Sequence, residues 1–403
     1  MRVSVVLGTR PEAIKLAPVI RAFGEQPGCE CMVVSTGQHR EMLDPMLAAF
    51  GIEPDVELAA MRPRQSLSGL TALLVESLGE TFREEQPDAV LVQGDTTSAF
   101  CGALAAFYES IPVGHVEAGL RTGDLRSPFP EEANRRLVGT LARWHFCPTP
   151  ASRRNLLAEG VPAQRIFVTG NTVIDALLWA RGRAGGQVPL KTRPRRILLT
   201  LHRRENQGET MRGLAMAIRD LAARGDVDVV FPVHLNPAVR EVVMPLLSEV
   251  EGVHLCEPLG YFAFVDALDS ADLVLTDSGG LQEEAPSLGK PVLVLRGTTE
   301  RPEAVSAGVA RLVGTDRGAV YRAACELLDS PDIYRAMACA ANPFGDGHAA
   351  ERIVAELAGL VPAVGPLAVS AEPIESVLEA QRSDITTRDT ASGRRESLLP
   401  AAG

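Results

Sequence analysis

Residues 276–303 read TDSGGLQEEAPSLGKPVLVLRGTTERPE. The apolar run Leu273-Val274-Leu275 leads into them and has the character of a buried strand. That strand ends in Thr276-Asp277-Ser278-Gly279-Gly280, a helical segment follows over 281–288, and a second strand runs from Pro291 to Leu295. Strand, small-residue turn and helix start are the physical recipe for an anion site. Unpaired backbone N–H groups and the positive helix end face the ligand, and glycine lets the backbone come close. Ser278, Gly279 and Gly280 are therefore candidate phosphate binders, Glu284 lies one turn in at the reach of a sugar hydroxyl, and Arg301 offers a fixed positive charge. An ordinary strand-to-helix turn with a capping Asp or Ser reads the same way. The stretch thus decides for a parallel α/β unit before it decides for any ligand.

The same grammar extends in both directions. Downstream of residue 195, strands are expected at 196–201, 227–233, 253–257, 273–276, 291–296 and 310–313, with helices at 209–223, 237–247, 262–269, 280–288, 317–328 and 348–359. Upstream, strands are expected at 3–7, 31–35, 89–93, 112–116, 144–148 and 166–169, with helices ending near Phe23 and spanning 40–50 and 66–85. Unbroken apolar strands alternating with helices specify parallel sheets covered on both faces. The fold class is α/β, with two Rossmann-like, doubly wound parallel-sheet domains. Residues 183–194, RAGGQVPLKTRP, read as the linker between a domain at 1–182 and another at 195–347. From 362 onward the periodicity is weak, and the segment reads as a disordered tail or one amphipathic helix near 372–382.

Composition narrows the function. The 403 residues carry a net charge of −11, which disfavours a nucleic-acid partner. The seven cysteines have neither zinc nor disulfide spacing, and no apolar run has secretory or membrane-spanning length, so a cytoplasmic protein without a membrane partner is expected. In doubly wound sheets ligands bind beyond the C-terminal strand ends. The unusual clusters all fall there: Gly8-Thr9-Arg10, Gly37-Gln38-His39, Gly94-Asp95-Thr96, His115-Val116-Glu117, His202-Arg203-Arg204, Val233-His234 and Asp277 to Gly280. Two such edges facing each other imply a ligand clamped between them. Asp95, Glu117 and Glu131 supply carboxylates for proton abstraction and return, and His202 with two following arginines suits a diphosphate. No Gly-x-Gly-x-x-Gly follows the first strand and no Walker sequence occurs, which argues against nicotinamide dehydrogenases and P-loop ATPases. No third ligand accompanies His115 and Glu117 at metal spacing, so no metal is expected.

Taken together, Gly8-Thr9-Arg10-Pro11-Glu12 with Lys15, Gln38-His39-Arg40, Gln93 to Thr96, His115 to Arg121, Pro130-Glu131-Glu132 with Asn134-Arg135, Gly170-Asn171, His202 to Asn206, and Asp277 through Glu303 resemble the non-hydrolysing UDP-N-acetylglucosamine 2-epimerases of bacteria. The resemblance spans about residues 1–360. It implies a GT-B architecture whose last helix crosses back to the first domain, no cofactor, and reversible conversion of UDP-GlcNAc to UDP-ManNAc. The implied route is anti elimination of UDP to 2-acetamidoglucal and syn re-addition. Residue by residue, Lys15, Asp95, Glu117, Glu131 and His202 resemble the catalytic group. Arg10, Leu259, Phe264, Ser278, Gly279, Gly280, Glu284 and Arg301 join Lys15, Asp95, Glu117 and His202 at the substrate. Gln38, His39, Arg64, Glu131 and Arg203 resemble the lining of a second, allosteric UDP-GlcNAc site, and a homodimer is implied. Glu41 and Leu259 stand where relatives carry Gln. Competing readings are a 2-epimerase for a UDP-diacetamido uronate sugar, a GT-B glycosyltransferase and a non-catalytic sugar-nucleotide sensor.

Overall fold

A computed structural model describes residues 1–62, 64–183 and 188–360. The expected tail, and the middle of the expected linker, lie outside the described residues. The first sheet contains β1 (Arg2–Leu7), β2 (Glu30–Ser35), β3 (Val56–Glu57), β4 (Ala89–Gln93), β5 (Val113–Val116), β6 (Trp144–Cys147) and β7 (Ile166–Val168). The second contains β8 (Arg195–Thr200), β9 (Val227–Pro232), β10 (Val253–Cys256), β11 (Leu273–Thr276), β12 (Val292–Val294) and β13 (Ala310–Leu312). Every pairing is parallel, in the orders β3-β2-β1-β4-β5-β6-β7 and β10-β9-β8-β11-β12-β13. These two Rossmann-like sheets are the architecture expected from the alternation of apolar strands and helices.

The helices of the first half are α1 (Arg10–Glu25), α2 (Arg40–Phe50), α3 (Leu67–Glu85), α4 (Thr97–Tyr108), α5 (Glu131–Leu141), α6 (Pro150–Ala158) and α7 (Thr172–Ala180). Those of the second half are α8 (Glu209–Ala222), α9 (Pro237–Leu247), α10 (Tyr261–Ser270), α11 (Gly279–Glu284), α12 (Pro302–Ser306), α13 (Arg317–Asp329), α14 (Pro331–Ala338) and α15 (Ala349–Leu360). Along β1 the side chains alternate: Val3, Val5 and Leu7 pack on α1 and α2, whereas Val6 faces the layer of α3 and α4. The second half buries Ile197, Leu199, Phe231 and Leu275 under α8 and α9. α15 follows the second sheet in the chain, yet Ile353, Val354 and Leu357 enter the core of the first. The Ala350 N–H, donating to Asp175 Oδ1 at 2.8 Å, ties it to α7.

In each sheet the strand order reverses between the first strand and the fourth of its half, β1 beside β4 and β8 beside β11. Loops leaving such a neighbouring pair diverge to opposite faces and leave a crevice between them. The turns at 8–10 and 94–96 flank one crevice, and those at 201–206 and 277–280 flank the other.

Helices α6, α7 and α12 were not expected from the sequence, and three further details depart from it. The two-residue β3 is too short to carry a period, and α14 begins two residues after α13 ends, across Ser330. The helix expected over 280–288 divides at Glu284, because Pro286 has no N–H to continue it; a 3-10 turn, Ala285–Leu288, closes on left-handed Gly289.

Gly119, two residues beyond Glu117, has φ +89, and a Cβ there would stand 2.4 Å from the Ser152 carbonyl oxygen. Gly119→Ala is expected to lower unfolding stability by about 2 kcal/mol or more, read from the urea midpoint; an unchanged midpoint would show that the turn relaxes freely.

Candidate active site

Two adjacent cavities open at the crevices. One, of about 580 Å³, is lined by Lys15, Asp95, Glu117 and Arg135 from the first half and by Glu300 and Arg301 from the second. The other, of about 470 Å³, is lined by Arg10, His202, Leu259, Phe264, Ser278 and Glu284. Pro11 and Lys15 line both.

Glu117 is the hub of the first cavity. It directly follows β5 in the left-handed region, φ +63, a conformation that a non-glycine residue adopts only when its surroundings enforce it. Lys15 Nζ donates to its two oxygens at 2.7 and 2.6 Å, Asn171 Nδ2 donates to Oε1 at 3.0 Å, and Gln93 donates to Oε2. Burial pushes the Glu117 carboxyl up, but the Lys15 ammonium outweighs it and holds the group below the usual range. Burial likewise opposes the charge on Lys15, and the Glu117 carboxylate, with Glu283 and Asp95, keeps its pKa above the ordinary value. Asp95 behaves differently. Arg135 pairs with its carboxylate and Asn134 Nδ2 donates to its carbonyl at 2.9 Å, yet burial, reinforced by Glu117, leaves its pKa raised.

His115 belongs to the frame. Its Nε2 lies 2.8 Å from the Gly94 carbonyl, and burial drives its pKa down to about 3, so a neutral ring donates there and braces the Asp95 turn. Glu12 braces the same turn from α1. Its carboxylate accepts from the Gly8 N–H at 3.0 Å, the Thr9 hydroxyl at 2.8 Å and the Thr96 hydroxyl at 2.6 Å, and burial lifts it to about 7.

In the second half Asp277 is fully buried. It accepts the backbone N–H groups of His202 and Arg203 at 3.0 and 2.9 Å and the Asn206 amide at 3.0 Å. Its carboxylate also meets His202 Nδ1 at 2.9 Å. Burial raises it, but the hydrogen bond from His202 and the loop N–H groups hold it below the aspartate range. An ionised acceptor fixes the imidazole proton on Nδ1 and leaves Nε2 at the free edge of the ring. Glu284 is lifted to about 7 by burial and by neighbouring Glu283. Arg301 pairs with Glu283, which overcomes the effect of burial and raises its pKa.

The structure therefore brings Arg10, Lys15, Asp95, Glu117, His202, Leu259, Phe264, Ser278, Glu284 and Arg301 to the two cavities. Gly279 and Gly280 begin α11 beside Ser278, where a Cβ on Gly280 would approach Glu284 Oε1 to 3.3 Å. Glu131 heads α5 and lines neither cavity; fully buried Glu132 next to it accepts the Thr122 N–H at 3.1 Å and pairs with Arg135 and Arg136. Gln38 accepts from the Ser98 hydroxyl at 2.7 Å, His39 caps α2, Arg64 is exposed, and Arg203 meets Glu300 at 3.4 Å; these four also lie outside both linings. Sequence reasoning gave no role to Glu12, Asn171 or Glu283. Glu12 carries a local signal, Thr9-x-x-Glu12, the pattern of a capping box. Among the described residues no group of three or more His, Cys, Asp or Glu is placed to hold a metal ion, and no helix is long and apolar enough to cross a membrane.

The profile of the UDP-N-acetylglucosamine 2-epimerase family matches residues 21–358. The UDP-N-acetylglucosamine 2-epimerase of Escherichia coli K12 is 52% identical over 369 residues, covering 89% of this chain and 98% of that protein. The crystal structure of the Neisseria meningitidis UDP-GlcNAc 2-epimerase bound to UDP-GlcNAc superposes with a TM-score of 0.79 at 47% identity, covering 89% of this chain and 100% of that one. The Methanocaldococcus jannaschii UDP-GlcNAc 2-epimerase in complex with UDP-GlcNAc and UDP gives 0.70 at 33% identity, with coverage of 89% and 100%.

Glu12 sets a pH test. A carboxyl raised from 4.5 to about 7 binds its proton more tightly folded than unfolded. Its stabilisation is thus complete below 4.5 and lost as pH rises through about 7. Urea midpoints measured from about pH 5 to about pH 8 are expected to fall less in Glu12→Gln than in the wild type; equal slopes would show that this carboxyl is ionised throughout.

Proposed function

The chain belongs to the UDP-N-acetylglucosamine 2-epimerase family, and from that premise we propose that it interconverts UDP-N-acetylglucosamine and UDP-N-acetylmannosamine by inverting C-2. The observation that carries this reading is that Lys15 lines both cavities. A nucleotide in the smaller cavity and its sugar in the larger one would put the diphosphate beside this ammonium. Phe264 and Leu259 then flank the base, Glu284 meets the ribose, and Ser278, with Gly279 and Gly280 at the start of α11, faces the diphosphate along with Arg10, His202 and Arg301.

In the proposed route a base takes the C-2 proton, the C-1–oxygen bond breaks, and its electron pair leaves with UDP, giving 2-acetamidoglucal. Re-addition returns a proton to the other face of C-2 as the UDP oxygen rebonds to C-1. This needs acid–base groups of unequal strength and a charge-stabilised leaving group. Burial raises the pKa of Asp95, while Lys15 holds Glu117 ionised. We assign proton removal in one direction to Asp95 and the return to the Lys15–Glu117 pair. The cations at Arg10, Lys15 and Arg301 offset the charge developing on the departing diphosphate.

NMR of UDP-GlcNAc with the protein in D₂O is expected to show UDP-ManNAc carrying deuterium at C-2; no product and no exchange would contradict the proposal. Asp95→Asn and Glu117→Gln are expected to lower kcat by about 10²–10⁴-fold with UDP affinity unchanged. Loss of UDP affinity instead would make these residues binders of the nucleotide.

A further inference from the structure

Glu117, Asn171, Glu283 and Arg301 form a hydrogen-bonded line that crosses from the first half to the second. Asn171 caps α7, its Oδ1 accepting the Val173 N–H at 3.1 Å. Its Nδ2 donates to Glu117 Oε1 at 3.0 Å and to Glu283 Oε2 at 2.6 Å. All three polar functions of the amide are used, and the reversed rotamer would set an oxygen against two carboxylates, so its orientation is fixed.

Glu283 and Glu284 are adjacent on α11, where successive side chains diverge by about 100°. Glu284 accordingly lines the smaller cavity, while Glu283 turns to Arg301 and Asn171 and lines neither. At 3% exposure Glu283 is a carboxylate whose burial is tolerable only because both oxygens have partners. It has no access to the nucleotide. Its contacts join the arginine of one cavity wall to the hub carboxylate of the other.

We propose that Glu283 and Asn171 are positioning residues, a bridge between the halves that sets Arg301 against the leaving diphosphate and Glu117 against the sugar in one arrangement. The bridge deepens the functional reading above and rests on it. Without it Arg301 keeps its charge and still follows a phosphate, so nucleotide binding survives while the registration of leaving group and proton-transfer group is lost. Asn171→Asp is the sharpest probe. It keeps the Val173 cap and the side-chain shape, removes both donors and adds a negative charge beside Glu117. The other groups facing Glu117 are Lys15 from α1, Asp95 and Gln93 from the end of β4, neutral His115 from its own strand, and Arg301.

Glu283→Gln, Glu283→Asp and Asn171→Asp would be compared for kcat, for UDP affinity by calorimetry and for thermal midpoint. In Glu283→Gln, kcat is expected to fall about a hundredfold while the UDP Kd stays within about threefold, with Glu283→Asp recovering part of the loss. In Asn171→Asp the acid limb of the kcat profile moves up by about one pH unit, and the carboxyl ¹³C titration of Glu117 moves with it. A kcat in Glu283→Gln within about threefold of wild type overturns the proposal. So does a joint loss of kcat, UDP affinity and thermal midpoint with the pH limb unmoved. A wild type that does not interconvert the two nucleotide sugars would refute the functional reading alone. The bridge is then judged on the Glu117 titration: a rise in Asn171→Asp supports it and an unmoved titration overturns it.

Discussion

The carboxylate of Glu117 is held by Lys15, Gln93 and Asn171, and the rest of the site is arranged around keeping that buried charge satisfied. A carboxylate this deep would take up a proton or destabilise the fold if its partners were displaced. The partners come from three separate places: α1, the end of β4 and the start of α7. None can shift without uncovering the charge. The left-handed backbone at Glu117 is the local strain that this arrangement requires, and the glycine packed on Ser152 two residues later takes its positive φ without a steric penalty. The neutral ring of His115 and the buried carboxyl of Glu12 stiffen the neighbouring Asp95 turn.

The two halves use the same topology for different chemical ends. Each sheet reverses its strand order beside its first strand, which gives each a crevice at the carboxyl edge. In the first half the crevice is filled with paired charges, Asp95 shifted up by burial and Glu117 held down by Lys15. In the second, the buried acid Asp277 holds the His202 loop, and His202 and Ser278 line the cavity. That division suits a reaction in which one side moves protons and the other holds an anion while its bond to carbon breaks and reforms.

Most of the architecture was legible because parallel strands buried on both faces announce themselves as short apolar runs, and Val3 to Leu7 or Leu273 to Thr276 admit no other reading. What escaped was what lacks a period. Val56–Glu57 is two residues long, and α14 follows α13 too closely for a break to show. The candidate site was legible where unusual residues stand at strand ends, as at Asp95, Glu117 and His202, which line the two cavities. Glu283 escaped because it reads as one of two adjacent acids on a short helix. Nothing in the sequence says that Glu284 faces a cavity while Glu283 faces an arginine eighteen residues downstream. Asn171 stood in a Gly-Asn pair that was given no role; it caps α7, and the partners of its two donors become visible only when both halves are folded.

In the proposed reaction the second half holds a diphosphate that leaves the sugar while the first half handles the proton. Positional isotope exchange tests it most directly. UDP-N-acetylglucosamine labelled with ¹⁸O in the oxygen that bridges C-1 and the β-phosphate would be incubated with the protein and recovered. The label is expected to spread into the non-bridging β-phosphate positions at least as fast as C-2 inverts, because the freed phosphate can rotate before it rebonds. Inversion at C-2 with the label still confined to the bridge would contradict it.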